Sequence, residues 1–132
     1  MLKFMILIFS IIVSMDSTAV RTMNSDDQTL KEIINTLTHM TKRLAACRDK
    51  MILDIFSDMT HQNISETFCK AFKALKNITP CPRIQHDLQK LQMNLLKAAE
   101  KTPICTVKDD SEIQLGTFLK HLMKFTKRTY GQ

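Results

Sequence analysis

Tryptophan is absent from this 132-residue chain, tyrosine occurs once, and only two glycines and three prolines interrupt it. So few breakers exclude an all-β domain built on tight turns and argue for helices. No CxxC pair and no paired histidines at zinc spacing occur, which sets a structural metal aside. GxSxG, HExxH and phosphate-cradling glycine loops are missing as well. Basic residues outnumber acidic ones by six, yet they form no block of five or more and no aromatic residues interleave with them. That pattern argues against nucleic acid as a partner. It fits a solvated surface with weak affinity for sulfated glycans.

Long apolar runs are also lacking, with one exception at the start. Lys3 precedes Phe4–Val13, an apolar stretch broken only by Ser10, and Ser17 and Ala19 occupy the −3 and −1 positions of a cut before Val20. A bilayer span needs roughly 20 apolar residues, and this run has about half that. The layout is that of a secretory signal peptide over residues 1–19, with 20–132 as one exported domain. Cys47, Cys69, Cys81 and Cys105 all fall in the exported part, where an even count predicts two disulfides. Asn63-Ile64-Ser65 and Asn77-Ile78-Thr79 are glycosylation acceptors by pattern; Pro80 makes the second the poorer one.

Four stretches carry helical periodicity. Between about Asp27 and Ala46, Leu30, Ile33, Ile34, Leu37, Met40 and Leu44 recur at steps of three and four. A second helix starts near Asn63–Ser65, buries Phe68, Ala71, Phe72 and Leu75, and stops before Thr79-Pro80-Cys81-Pro82. The third runs from about Arg83 to Glu100 with Ile84, Leu88, Leu91, Leu95 and Ala98 or Ala99 inward, and Pro103 closes it. The fourth is read from Ser111 to Tyr130 on Ile113, Leu115, Phe118, Leu119, Leu122 and Phe125. Gly116 weakens its first turn by up to about 1 kcal/mol.

Four amphipathic helices in one small domain make an all-α bundle, and the connections choose its topology. About six residues between the second and third helices allow only an antiparallel hairpin, whereas about 17 and about ten residues join the others. Ten extended residues reach about 33 Å, more than the roughly 25 Å length of a 17-residue helix. Of the three possible cysteine pairings, Cys69 with Cys81 is poor, because the intervening helix separates them by more than about 10 Å. In an up-up-down-down bundle, Cys47 and Cys81 meet at one end and Cys69 and Cys105 at the other. In an up-down-up-down bundle Cys81 is stranded. The expected fold is therefore an up-up-down-down short-chain four-helix bundle with two long crossover loops. Met51–Leu53 and Cys105–Val107, one from each crossover, are candidates for a two-stranded ribbon.

The residues from Thr29-Leu30-Lys31-Glu32-Ile33-Ile34 through Cys47 resemble the first helix of the interleukin-4/interleukin-13 family of short-chain cytokines. Leu53-Asp54-Ile55-Phe56, Glu66-Thr67-Phe68-Cys69-Lys70-Ala71 and the closing Phe118-Leu119 and Lys127–Tyr130 extend the likeness over nearly the whole exported part. The Glu66–Cys69 segment favours the interleukin-4 side of the family over an interleukin-13-like cytokine. The resemblance implies the same two disulfides, a monomer without cofactor, and signalling to immune cells. It implies binding to the interleukin-4 receptor alpha chain through Glu32 and Thr36 on the first helix and Lys90 and Asn94 on the third, where Lys97 beside them is a further candidate contact on the exposed side. It implies recruitment of the common cytokine receptor gamma chain or the interleukin-13 receptor alpha chain through Ile34, Thr38, Lys127 and Tyr130. The family's principal basic contact falls here on Met93, which cannot form a charge-assisted hydrogen bond. The family's disulfide joining the two chain ends is missing too, so looser termini are expected.

Spacing and composition alone allow plainer readings. Glu32 suits the positive end of a helix dipole, Lys90, Lys97 and Lys101 form a solvated stripe, Ile34 is core, and Tyr130 covers an apolar edge. Two other classes compete with a receptor ligand. A secreted ribonuclease would need two of His39, His61, His86 and His121 to converge, and the adjacent His86 and Asp87 point to different helix faces. A cationic membrane-active defence protein would need its apolar faces free, which two disulfides between distant segments oppose.

Overall fold

The computed structural model describes residues 25–57, 63–100, 104–107 and 111–131. The expected signal peptide and its cut, His61, Lys101 and Pro103 lie outside the described residues. Four helices and two short strands follow one another as α1 (Ser25–Arg43), β1 (Met51–Leu53), α2 (Ile64–Lys76), α3 (Gln85–Ala98), β2 (Glu112–Gln114) and α4 (Leu115–Tyr130). Among the described residues, no helix is long and apolar enough to cross a membrane.

Covalent and ladder contacts set the helix directions. Cys47, just past α1, bonds Cys81, just past α2, so α1 and α2 point the same way. Cys69 in the second turn of α2 bonds Cys105, beyond the end of α3, so α3 runs back. β1 leaves α1 and pairs antiparallel with β2, which leads into α4, so α4 starts where α1 finishes. The result is the up-up-down-down bundle, with both expected disulfides closed at Cα separations of 6.2 Å. α1 packs against both α3 and α4, and α2 packs on α3. Phe68 of α2 meets Phe125 of α4 edge-on, ring centres 5.3 Å apart.

The apolar stripes read from the sequence fill the space between the helices. Leu30, Ile33, Leu37, Met40 and Leu44 of α1 are buried, as are Leu88, Leu91 and Leu95 of α3 and Leu115, Phe118, Leu119 and Leu122 of α4. Each fully buried side chain of this size contributes about 1.5–3 kcal/mol. Helix ends are closed by specific groups. Asn63 caps α2 by accepting from the Glu66 N–H at 3.1 Å. At the other end of α2, Gln92 of α3 donates to the Leu75 carbonyl at 3.2 Å, which also accepts from the Ile78 N–H at 3.4 Å.

The ribbon exists, but its second strand is Glu112–Gln114 and not Cys105–Val107. Met51 faces Gln114, Ile52 faces Ile113 and Leu53 faces Glu112. Two further bonds, Asp54 N–H to Ser111 O at 3.0 Å and Leu115 N–H to Lys50 O at 2.6 Å, lengthen the pairing at both ends. Residues read as the first turn of the last helix are thus strand, and α4 begins at Leu115. Cys105 is held instead by its disulfide and by Lys73, whose Nζ donates to the Cys105 carbonyl.

Gly116 sits where the crossover meets α4. Its N–H donates to the Arg48 carbonyl at 3.1 Å, and an added Cβ would lie 2.8 Å from Arg48 Cγ. Gly116→Ala is therefore expected to destabilise by about 1 kcal/mol net, overpacking outweighing better helix propensity. Adding Arg48→Ala should recover the loss. Additive effects in urea titrations of the two single variants and the pair would refute this account.

Candidate functional site

At 100° per residue, the buried stripe of α1 is flanked on one side by Glu32, Thr36, His39 and Arg43. Ile34, Thr38 and Thr41 flank it on the other. The first flank faces α3, because His39 Nδ1 lies 3.7 Å from Asp87 Oδ2 across the seam. The second lies toward α4. The two sets of residues expected to meet two receptor chains therefore sit on opposite shoulders of one helix.

On the α3 side the helices run antiparallel, and the His39–Asp87 pair sets their register. Moving two turns back along α1 and two turns on along α3 brings Glu32 level with Asn94. Moving one turn the other way brings Arg43 level with Arg83, and these two line a common cleft of about 320 Å³ with Lys42 and Ala45. Glu32 is half-buried. Its carboxylate makes no ion pair among the described residues. It sits in the third turn of α1, beyond the reach of the helix-end dipole, which fades within the first turn. The dipole reading of Glu32 thus loses its support.

Thr36 and Asn94 are only 4% and 9% exposed. The Thr36 hydroxyl donates to the Glu32 carbonyl at 2.8 Å, so this pair forms the floor of the seam and projects little from it. Lys90 and Lys97 are exposed. Between them Met93 and Leu96 are 64% and 53% exposed, an apolar spot on the outer face of α3.

On the α4 side Ile34 is half-buried and Thr38 exposed, its hydroxyl donating to the Ile34 carbonyl at 2.8 Å. Lys127 and Tyr130 lie exposed in the last turn of α4. Thr126 next to them is fully buried and satisfied by donating to Leu122 O at 2.7 Å.

Among the described residues, His39 and His121 do not share a site. His39 faces Asp87, whereas His121 packs against Phe56, ring centres 5.7 Å apart, on a different part of the surface. The pairing of His39 with Asp87 escaped the sequence reading, which compared Asp87 only with its chain neighbour His86. The heptad-like spacing of Glu32, Thr36, His39 and Arg43 beside the core stripe is the signal that marks this flank as a continuous seam. Of the two sequons, Asn63 is exposed and uses its Oδ1 to cap α2, while exposed Asn77 donates its Nδ2 to the Lys73 carbonyl at 3.3 Å.

Residues 25–131 match the sequence pattern of the family described as Interleukin 4. The chain is 36% identical over 107 residues to interleukin-4 of Lama glama, an alignment covering 80% of this chain and 79% of that protein. Interleukin-4 of Sus scrofa is 32% identical and that of Tursiops truncatus 31%, over the same lengths and shares of each chain. These relatives are cytokines and not enzymes. A bundle of this topology, its two crossed disulfides and a match spanning the whole described domain lead to one assignment: the chain belongs to the interleukin-4 family of cytokines.

Proposed function

We propose that this chain is a secreted cytokine that binds the interleukin-4 receptor alpha chain through the α1–α3 seam. It then recruits the common cytokine receptor gamma chain or the interleukin-13 receptor alpha chain through the α1–α4 shoulder, and so signals to immune cells. The observation that carries the reading is Glu32. It is a half-buried carboxylate with no ion pair among the described residues, at the centre of the seam and flanked by the cations Lys90 and Lys97. A receptor donor group closing on it would form a charge-assisted hydrogen bond away from bulk water. The pattern of residues 1–19 supports export, and Asn63 is the better glycan acceptor because Pro80 follows the second sequon, both asparagines being exposed.

Met93 departs from the family's basic contact. The outer face of α3 then offers an apolar spot with Lys90 and Lys97 on either side. The test is surface binding of the oxidised protein to the receptor alpha ectodomain. Glu32→Ala is expected to weaken binding by about 30-fold or more, the loss typical of a central hot-spot residue. Saturable wild-type binding that ignores Glu32→Ala would refute the seam as the docking face. No wild-type binding at micromolar protein would refute the receptor itself.

A further inference from the structure

The outer face of α4 carries charge of one sign only. Of the four helices it alone lacks an acidic residue, while Lys120, His121, Lys124, Lys127 and Arg128 all belong to it. At 100° per residue, Lys127, Lys120, Lys124, Arg128 and His121 fall in that order within an arc of about 120°. Thr117 is the one uncharged side chain of the helix on that arc. All of these basic residues are exposed, and none forms an ion pair among the described residues.

The stripe runs about 12 Å along the helix. At its edge toward the first crossover, His121, Lys124 and Arg128 line a cleft of about 330 Å³ with Asp54, Phe56 and Ser57. Asp54 is the one carboxylate there, and its Oδ1 already accepts from the Phe56 N–H at 3.0 Å. The Phe56 ring, its centre 5.7 Å from that of His121, gives the cleft an apolar wall.

Stability of the isolated chain does not call for this pattern. Lys120, Lys124 and Arg128 follow at i, i+4 spacing, where like charges oppose helix formation. The negative end of the helix dipole accounts for Lys127 and Arg128 in the last turn, but its reach fades before Lys124. Solubility alone is served by mixed charges, as α1 shows with Asp27, Lys31 and Glu32.

We propose that this face of α4 is a docking site for a sulfated glycan, and that, through Lys127, a glycan seated there shuts out the second receptor chain. Cations lying along a row of sulfates displace its condensed counterions, as they do along a phosphate backbone. The carbon face of one sugar ring fits against Phe56. A lipid surface suits the stripe less, because Leu115, Phe118, Leu119, Leu122 and Phe125 are buried and leave nothing apolar beside the cations to insert. A protein partner also suits it less, since interfaces are poor in lysine and rich in aromatic residues. The glycan site stands by itself; the exclusion rests on the receptor reading, in which Lys127 belongs to the α1–α4 shoulder. The α1–α3 seam lies on the other flank of α1, so a glycan-bound molecule keeps its first receptor contact and loses its second.

The test uses a size-defined heparin oligosaccharide and the oxidised protein. The wild type should bind at physiological salt, and Lys124→Gln with Arg128→Gln should weaken binding about tenfold or more. Lys42→Gln with Arg83→Gln removes the same charge from the cleft that those two residues line, and should leave most of the affinity in place. No wild-type binding, no loss from the first pair, or equal losses from both pairs would overturn the glycan site. Equal binding of a desulfated oligosaccharide, or tighter binding to anionic vesicles, overturns it as well. With the wild type captured on the receptor alpha ectodomain, recruitment of the second-chain ectodomain should fall in proportion to the fraction carrying heparin. The Lys124 and Arg128 double variant should be spared that loss. Undiminished recruitment overturns the exclusion and leaves the site. Failure of recruitment without any heparin overturns the receptor reading and the exclusion together, while the heparin series still decides the site.

Discussion

Phe118→Ala is expected to destabilise the domain by about 3–5 kcal/mol. Phe118 is fully buried on α4. On the same face of that helix, Leu115, Leu119 and Leu122 are buried with it. Its ring meets the ring of Phe56 edge to face, centres 5.4 Å apart and planes inclined at 60°. Phe56 belongs to the first crossover, in the turn that follows β1, where its backbone N–H is held by Asp54 Oδ1 at 3.0 Å. Truncation at 118 thus removes a large apolar payload and leaves a cavity that rigid helices close poorly. It also unseats the crossover from the bundle.

The expected loss is a large part of the 5–15 kcal/mol that holds a typical domain together. In urea the midpoint should fall sharply, and the melting temperature should drop by about 15 °C or more. Phe56→Ala, at a half-buried position, should cost less. The pair of substitutions should cost less than the sum, since the edge-to-face contact adds about 0.5–1.5 kcal/mol beyond burial. A Phe118→Ala loss under about 1 kcal/mol would contradict the packing described for α4.

How far the sequence discloses this structure depends on the range of the interaction. Leu30, Ile33, Leu37, Met40 and Leu44 announce α1 through a local period, and that period persists in the folded chain. The end of α1 is different. It was read to Ala46, but the helix stops at Arg43 because Ala45 adopts a φ of +33° and starts a separate 3-10 turn. An alanine in that left-handed region costs about 1–2 kcal/mol. No glycine marks the spot, so nothing local betrays it. β2 was hidden for a related reason. Ile113 continues the apolar spacing of Leu115 and Phe118, and three residues are too few to tell a period of two from 3.6. Only the partner strand, far back in the first crossover, decides between them.

The site divides along the same line. Only the resemblance names Glu32, Lys90, Lys97, Ile34, Thr38, Lys127 and Tyr130 as contacts, and the fold puts Glu32 and Ile34 with Thr38 on α1, the two lysines on α3, and Lys127 and Tyr130 on α4. Thr36 and Asn94 were read as contacts on equal terms with Glu32, and the structure sinks both into the floor of the seam. Helical spacing does not say how deep the neighbouring helix sits. The His39–Asp87 approach was invisible, because it joins two helices whose register is set by everything between them. Disulfide connectivity was the exception among long-range features. The chain lengths of the connections and the reach of a disulfide left one topology that satisfied all four thiols.

Replacing Cys69 and Cys105 together by alanine is expected to cost about 4 kcal/mol. The bridge closes a sequence separation of 36 residues, and the chain-entropy account gives about that value for a loop of this length. The Cys47–Cys81 bridge spans 34 residues and predicts nearly the same entropy, so loop length does not rank the two. Their surroundings do. Around Cys47 the chain stays tied without its bridge, by the Cys47 N–H to Leu44 O bond at 2.8 Å, by the β1–β2 ladder and by direct packing of α1 on α3. The segment from Ile104 to Val107 belongs to no helix or strand. What holds it to α2 is the disulfide and the Lys73 bond to the Cys105 carbonyl. Loss of Cys69–Cys105 should therefore release this crossover locally before the bundle melts, whereas loss of Cys47–Cys81 should lower global stability with little local opening. Hydrogen exchange distinguishes them. A uniform acceleration in both variants, with an additional local acceleration at residues 104–107 and the start of α2 in the first variant alone, is the expected pair of results. Equal and global effects in both would mean that the bundle folds as one unit indifferent to which bridge is missing, and that the crossover is anchored by contacts other than its disulfide.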